Sequence, residues 1–223
     1  MFKVKTKTIR AVALLVVLSF VYVFLSTFES SYYTNMPWNP VKKCLNTKEE
    51  IQQLVNLTFR AHRVLDEMEI KHWLMYGSII GARRIQEPLP WDNDADIGFD
   101  GNGRFSEITF EELFNRLKRE GLNLRNKWIQ SGSFVVSHNG WSLTVDLFAF
   151  YDHGGLMKRT GLESWLGFIN HRIYHTFPTW VTKGALPTVR FGFFNISIPR
   201  GGDEILKHLY RFNWWKEVRP KGC

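Results

Sequence analysis

The spacing of apolar and polar residues predicts alternating helices and strands over residues 47–223. Thr47 with Glu50 forms a capping box, and an apolar stripe behind it predicts a helix over 48–69. Helices are also predicted over about 107–120, ended by Gly121, and over 203–211. DADIGF, LNLRNKWIQ, SFVVSH and WSLTVDLFAF are predicted strands, and KHWLMYGS is predicted to turn from a strand into the helix IIGARRI. The pattern is that of an α+β domain.

The N-terminal segment follows a different pattern. Residues 1–10 carry four cations and no acid, and residues 11–28 carry no charge. Eighteen residues of helix extend about 27 Å, close to the hydrocarbon thickness of a bilayer. We therefore expect a cytoplasmic tail over 1–10, a transmembrane signal anchor over 11–28 and a lumenal stem over 29–46. A cleaved signal peptide is the alternative, but its apolar region is typically about 7–15 residues long.

The charge of the chain limits its partners. The formal net charge is +8, and it is +4 without the tail cations Lys3, Lys5, Lys7 and Arg10. Such a small excess argues against a dedicated nucleic-acid surface and permits an anionic substrate. We therefore expect no nucleic acid among the partners.

Two sequons and two cysteines bear on the compartment. Asn56 and Asn195 each begin an Asn-x-Ser/Thr sequence, and both alternate away from apolar neighbours, so both should face water. Cys44 and Cys223 could pair in an oxidising lumen, or each could stay reduced. Two cysteines cannot supply a four-thiolate zinc site.

The candidate chemistry lies in the segment LPWDNDADIGFD. Asp92, Asp94 and Asp96 alternate along a strand pattern, so their carboxylates would share one face. Two charges about 6 Å apart repel by roughly 3 kcal/mol at an effective dielectric of about 20, so a cation should lie between them. Pairing of the strands would add Asp146, from WSLTVDLFAF, to the same group. Oxygen ligands of this kind suit Mg²⁺, although Asp92 could instead be a turn residue or a helix cap.

A phosphate-binding turn precedes these acids. Gly77 and Ser78 lie where a strand becomes a helix, and free N–H groups at a helix start favour an anion. Arg84, one to two turns further along, could reach the same phosphate. A Gly-Ser turn followed about fifteen residues later by an Asp-x-Asp strand would place phosphate and metal ligands in one pocket.

These segments resemble the LicD family of nucleotidyltransferase-fold phosphotransferases. YGSIIGARR, PWDNDADIGF and VDLFAF follow its pattern in order, and YDHGGLM, HRIYHTFP and IPRGGDEILKHLYRFNWW look like the continuation seen in fukutin-related members. The resemblance implies a nucleotidyltransferase-like mixed sheet with flanking helices. It implies Asp94, Asp96 and Asp146 as catalytic, metal-binding acids, with Asp92 as a further metal ligand. It also implies Gly77, Ser78 and Arg84 as the donor-phosphate turn.

The activity implied by this resemblance is metal-dependent phosphotransfer. A phospho-alcohol, such as ribitol phosphate or choline phosphate, would move from a CDP-linked donor to a glycan or glycoprotein acceptor, with Mg²⁺ or Mn²⁺ as cofactor. The expected location is the Golgi membrane, with the catalytic domain in the lumen. The donor alcohol, the acceptor sugar and the oligomeric state, including a homo-oligomer, stay open.

Two other functions are alternatives to this interpretation. The chain could be a noncatalytic, membrane-anchored partner of a transferase, although the preserved acids argue against it. It could also be a polymerase-like nucleotidyltransferase acting on RNA, against which the anchor and sequons argue. Several other residues favour a plain structural interpretation over a functional one: His171 with His175, Lys158 with Arg159, and Trp214 with Trp215.

Overall fold

The computed structural model describes residues 6–27, 44–161, 175–201, 203–210, 214–215 and 219, and the side chains of 6–27 only from 7 to 21. The first helix, α1, covers Thr6–Thr27. Five further helices are α2 (Lys48–Glu67), α3 (Tyr76–Ile85), α4 (Phe110–Arg119), α5 (Trp128–Ser131) and α6 (Asp203–Leu209). The strands are β1 (His72–Leu74), β2 (Asp94–Asp100), β3 (Asn123–Lys127), β4 (Ser133–Ser137), β5 (Thr144–Asp152), β6 (Leu156–Arg159), β7 (Thr176–Pro178), β8 (Thr188–Phe191) and β9 (Phe194–Ser197).

The N-terminal helix α1 requires a correction. Within the described part of the chain, no helix combines the length and the apolar character needed to cross a bilayer. We therefore correct the prediction of a transmembrane helix over 11–28.

The predicted mixed sheet is confirmed. Strands β1, β2, β5, β4 and β3 lie side by side in that order, and β6 and β7 continue from β5. The pair β2–β5 is parallel, and the other pairs in this sheet are antiparallel. A separate hairpin consists of β8 and β9. The parallel pair lies in the middle of the sheet, where both of its strands have hydrogen-bonded neighbours on either side.

The predicted cap of α2 is confirmed, whereas α4 begins at Phe110 and not at about 107. The Thr47–Glu50 capping box is formed, and an equivalent box of Thr109 with Glu112 starts α4. Gly121 follows α4 with a φ of 67°, a left-handed conformation that glycine adopts at low cost. The apolar faces of the helices pack against one core that includes the fully buried Trp73, Phe99 and Phe150.

Two element boundaries differ from the sequence patterns. Helix α3 already begins at Tyr76 and not at Ile79, so Gly77 and Ser78 lie inside its first turn. The segment LNLRNKWIQ is not one strand, because it breaks after Lys127 into the four-residue helix α5. The Trp128 N–H donates to the Asn126 side-chain oxygen at 2.8 Å, a local bond that competes with the strand ladder.

Both sequon asparagines and one of the two cysteines are among the described residues. Asn56 on α2 and Asn195 on β9 are both exposed, as their positions in the pattern predicted. Cys44 is disulfide-bonded. Its predicted partner, Cys223, lies outside the described residues, as do residues 29–43 of the predicted stem.

Candidate active site

Three acids from two neighbouring strands meet on one face of the sheet. Asp96 on β2 lies directly opposite Asp146 on β5 in the parallel register, and Asp94 precedes Asp96 by two residues. Alternate residues of a strand share a face, so all three side chains project the same way. One carboxylate oxygen from each lies within 4.8 Å of those from the other two. The predicted pairing of the two acidic strands is confirmed.

Burial and mutual repulsion make these carboxylates hold protons tightly. Burial is the largest cause for each of them: it raises the pKa of Asp94, raises that of Asp96 well above its ordinary range, and raises that of Asp146 to about 6. The Asp94 charge adds to the rise for both Asp96 and Asp146. Three carboxylates in partial burial are costly as anions, and a divalent cation among them would offset that cost. Their oxygens are the donor set that Mg²⁺ and Mn²⁺ prefer.

Asp92 lies beside this group but is not a member of it. Its backbone N–H donates to the Leu89 carbonyl at 2.9 Å, which closes a turn with Pro90 at its second position. Asn46 fastens the same turn through a 2.5 Å bond from its side-chain nitrogen to the Asp92 carbonyl. Burial, followed by the Asp94 charge, raises the pKa of Asp92 to about 7. The alternative that Asp92 is a turn residue is therefore correct for its backbone. Its role as a metal ligand stays a prediction.

The first turn of α3 lies against the acidic strand. The backbone N–H of Asp96 donates to the buried Ser78 hydroxyl at 2.8 Å. A Cβ placed on Gly77 would lie 3.4 Å from an Asp92 carboxylate oxygen, so this glycine adjoins the turn that carries Asp92. The N-cap residue of α3, Met75, makes no side-chain capping hydrogen bond. The predicted phosphate turn and the acids therefore lie next to each other, with helix N–H donors that a phosphate could use.

Arg84 lies away from this turn. It belongs to the last turn of α3, whereas Gly77 and Ser78 belong to the first. Its guanidinium donates to the Trp214 carbonyl at 2.7 Å. Contact between Arg84 and a donor phosphate stays a prediction.

Arg159 is the cation that the structure brings to the acids from a distant part of the sequence. It ends β6, donates to the Tyr76 hydroxyl at 3.2 Å and to the Ser131 carbonyl at 3.0 Å, and lies 4.3 Å from the Phe148 ring centroid. Its charge lowers the pKa values of both Asp96 and Asp146 against the larger effect of burial. The sequence showed this residue only as one of two adjacent loop cations, the other being Lys158.

Lys127 and Tyr76 also belong to the site, although the sequence pattern did not single them out. Lys127, at the end of β3, lowers the pKa values of Asp94 and Asp146 by its charge. Tyr76 has a φ of 48°, a left-handed conformation that is uncommon for a residue other than glycine and recurs at functional sites. The Nδ1 atom of His175 lies 2.9 Å from the Tyr76 hydroxyl, so His175 lines the site while its predicted companion His171 lies outside the described residues.

The two C-terminal tryptophans, Trp214 and Trp215, differ in their burial. Trp214 is partly buried against the core, with the Lys207 ammonium 4.9 Å from its ring centroid. Trp215 is 58% exposed. Packing therefore accounts for Trp214 and does not account for Trp215.

An aromatic cavity of about 490 Å³ beside α5 adjoins the acidic site through Lys127, but none of the three acids lines it. Phe134, in its wall, pairs with Leu147 of β5, and Leu147 faces away from Asp146. The cavity therefore takes no part in the group of three acids.

Comparison with known proteins gives a family match over more than half of the chain. The family model described as LicD/FKTN/FKRP, nucleotidyltransferase domain, matches residues 69–201. The ribitol 5-phosphate transferase FKRP of Homo sapiens is 29% identical over 133 residues, which are 58% of this chain and 26% of that protein. An uncharacterized protein of Rickettsia prowazekii, RP689, is 30% identical over 145 residues, which are 59% of this chain and 54% of that protein. A solution structure of the antibiotic-resistance factor ANT(2'')-Ia is similar with a TM-score of 0.43 and 14% identity, covering 70% of this chain and 69% of that one.

The family match describes a nucleotidyltransferase domain, and the mixed sheet with its paired acidic strands lies within the matched residues. The chain belongs to the LicD family of phosphotransferases, as the match over residues 69–201 shows. It spans about a quarter, 26%, of the length of the human and mouse ribitol 5-phosphate transferases that it matches. These relatives add no support for a homo-oligomer.

Proposed function

We propose that this chain transfers a phosphorylated alcohol from a CDP-linked donor to a glycan hydroxyl. The observation that carries the proposal is the parallel pairing of Asp96 with Asp146, which completes a group of three carboxylates beside the Ser78 turn. Family membership supports phosphotransfer as the reaction class. The relatives named ribitol 5-phosphate transferase support ribitol phosphate as the first group to test, followed by choline phosphate.

The cofactor that fits this donor set is Mg²⁺ or Mn²⁺. Asp94, Asp96 and Asp146 would hold it, since all three offer oxygen ligands within a space of 4.8 Å. When bound, a divalent ion of this class neutralises charge on the donor pyrophosphate and stabilises the charge that develops during transfer. Without a bound cation, the negative charge of the three carboxylates would repel a donor phosphate.

The remaining groups would orient the donor and accept a proton. The N–H groups in the first turn of α3, around Gly77 and Ser78, would bind a donor phosphate oxygen. The Arg159 guanidinium would contact the same phosphates from the β6 side. Asp92, in the turn beside Asp94, would take the proton of the acceptor hydroxyl as a general base.

We also propose that the domain works in the lumen of the secretory pathway, with the Golgi as the expected compartment. The exposed asparagines of both sequons, Asn56 and Asn195, support this location. The disulfide at Cys44 supports an oxidising compartment. Treatment of the chain from secretory-competent cells with a peptide N-glycosidase should increase its gel mobility, and Asn56→Gln with Asn195→Gln should abolish that shift.

The reaction is tested by release of cytidine monophosphate from CDP-ribitol, CDP-glycerol and CDP-choline in the presence of a glycan acceptor. We expect one donor to be consumed with Mn²⁺ and none with a chelator. A folded wild-type chain that consumes no donor would contradict the proposal and would favour the noncatalytic partner. Asp152→Asn is the matched control for substitutions of the three acids, because Asp152 is an exposed acid at the far end of β5. This variant should retain turnover.

A further inference from the structure

A second group of metal-ligating side chains lies on the opposite face of the sheet from the acids. His62 and Asp66 are one helical turn apart on α2, and His72 is the first residue of β1. A ligand atom from each lies within 4.8 Å of those from the other two. His72 pairs with Phe99, whereas Trp73 pairs with Gly98, which shares the face of Asp94 and Asp96. His72 therefore projects away from the acids, about 10 Å along β2 from Asp96.

The His72 ring presents a lone pair to the other two residues. Its Nδ1 atom lies 2.7 Å from the Ile70 carbonyl oxygen, which can only accept a hydrogen bond, so Nδ1 carries the proton. Its Nε2 atom is then unprotonated, and it faces the His62 Nδ1 atom at 2.7 Å and an Asp66 oxygen at 3.8 Å. A metal-ligating histidine typically has this arrangement, with the remote ring nitrogen donating to a backbone carbonyl.

His62 is held in place, and its two ring nitrogens both face acceptors. Its ring stacks on Phe194 of β9 with centroids 5.4 Å apart and an interplanar angle of 23°. Nδ1 faces the His72 lone pair, and Nε2 lies 3.4 Å from an Asp66 oxygen. A neutral imidazole has one N–H, so it can serve only one of these two contacts. A cation held by His62 Nδ1, His72 Nε2 and Asp66 would replace the His62–His72 hydrogen bond, and the two nitrogens would separate from 2.7 Å to admit it, because each Zn–N bond is about 2.0–2.1 Å long.

The cluster is reachable from solvent on one side. The side chains of His72 and His62 are 4% and 14% exposed, whereas that of Asp66 is 61% exposed. The two histidine side chains are therefore buried, and the Asp66 carboxylate lies on the solvent-exposed side of the cluster. An ion could enter past Asp66 and keep a water molecule as a further ligand.

We propose that His62, Asp66 and His72 bind a zinc-class divalent cation that fastens the end of α2 to β1. Two imidazoles and one carboxylate suit Zn²⁺, in contrast to the all-oxygen set of the acids, which suits Mg²⁺ or Mn²⁺. The site lies on the other face of the sheet from the reacting groups, so its role is to hold β1 in position. Strand β1 leads directly into α3 and its phosphate turn.

The test is zinc binding by the chelator-stripped full chain, measured by competition with a chromophoric chelator. Asp94→Asn with Asp146→Asn serves as the background, so that zinc on the acids is not counted. We expect one tightly bound zinc per chain in that background. Adding His62→Gln or Asp66→Asn should weaken it by more than the roughly tenfold to hundredfold that loss of an outer-shell partner costs. His153→Gln, in an exposed loop, is the matched histidine control and should leave binding unchanged.

Folding is checked separately because His72 is buried. His62→Gln and Asp66→Asn are preferred to a His72 variant, and circular dichroism with a melting curve verifies each of them. Zinc should raise the melting temperature of the background chain but not that of the folded Asp66→Asn chain. The proposal is overturned if no zinc binds, or if zinc binding in folded variants is indifferent to both His62 and Asp66. Donor turnover does not enter this test, so its outcome is independent of the proposed reaction.

Discussion

The backbone N–H of Asp96 donates a hydrogen bond to the hydroxyl of Ser78 at 2.8 Å. This bond joins the first turn of α3 to the strand that carries two of the three acids. The Ser78 hydroxyl hydrogen remains able to point toward a phosphate, because its oxygen is the acceptor in this contact. Movement of the predicted phosphate turn is therefore coupled to the position of Asp94 and Asp96.

Loss of the Ser78 hydroxyl should reduce both stability and turnover. Ser78→Ala leaves the partly buried Asp96 N–H without its acceptor, which should lower the free energy of unfolding by about 1–3 kcal/mol. Denaturant unfolding and donor turnover are the measurements. Ser106→Ala, at an exposed serine in the short 3₁₀ helix Arg104–Glu107, should change neither quantity. Unchanged turnover in Ser78→Ala would contradict the coupling.

Gly77→Ala should affect donor binding more than folding. The added Cβ would be 3.4 Å from an Asp92 oxygen, an ordinary contact, but it would narrow the approach of a phosphate to the N–H groups of the turn. We expect KM for the donor to rise by about tenfold or more, with a nearly unchanged melting temperature.

Gly81→Ala is the contrasting variant in the same helix. Its Cβ would lie 2.4 Å from the Glu87 carbonyl oxygen, so the backbone itself must shift. This change should lower the melting temperature clearly. A Gly77→Ala chain that loses as much stability as Gly81→Ala would show that Gly77 is needed for packing and not for the donor.

Arg159 should matter for turnover far more than its neighbour Lys158. Arg159→Gln removes the guanidinium that lies beside Tyr76 and acts on Asp96 and Asp146, and the loss of one such charge-stabilising donor costs about a hundredfold in rate. Lys158→Gln is the matched cation control, because adjacent strand residues project to opposite faces. Steady-state kinetics of the two variants provide the comparison, and equal effects would remove Arg159 from the proposed mechanism.

Without divalent ions, the chain should be less stable at pH 8 than at pH 5. The pKa values of Asp92 and Asp146 rise from an ordinary 3.8 to about 7 and about 6, so the folded chain binds more protons than the unfolded chain between these values. The free energy of unfolding therefore falls as pH rises from about 4 to about 7. Melting curves in chelator should show this decline, Asp146→Asn should reduce it, and Mn²⁺ should oppose it at pH 8. Because burial lowers the pKa of His72 to about 4, that residue acts in the opposite direction between about pH 4 and 6.5. The comparison with Asp146→Asn therefore decides, and a decline of equal size in that variant would contradict the raised pKa of Asp146.

The acids could be predicted from the sequence because their arrangement follows from local rules. Asp94 and Asp96 share a face by the two-residue period of a strand, and Asp146 lies in an apolar strand pattern of its own. The capping box at Thr47 also depends on only four consecutive residues. Features of this kind depend on neighbouring residues and not on contacts between distant segments, so the sequence alone predicts them.

The positions of the cations could not be predicted, because they depend on contacts between distant segments. Arg84 is 130 residues from the Trp214 carbonyl that it contacts, and Arg159 is 83 residues from Tyr76. The alternation of apolar and polar residues does not indicate which strand β6 will pair with. The His62–His72 contact likewise depends on how α2 crosses β1, which residue spacing alone does not determine.

The central claim is that Asp94, Asp96 and Asp146 bind a divalent cation on which donor turnover depends. The most direct measurement is Mn²⁺-dependent release of cytidine monophosphate from CDP-ribitol, with wild type and Asp96→Asn compared over one Mn²⁺ titration. We predict saturable activation of the wild type and none of the folded Asp96→Asn chain. Equal turnover by both chains, or wild-type turnover that persists in chelator, would contradict the claim.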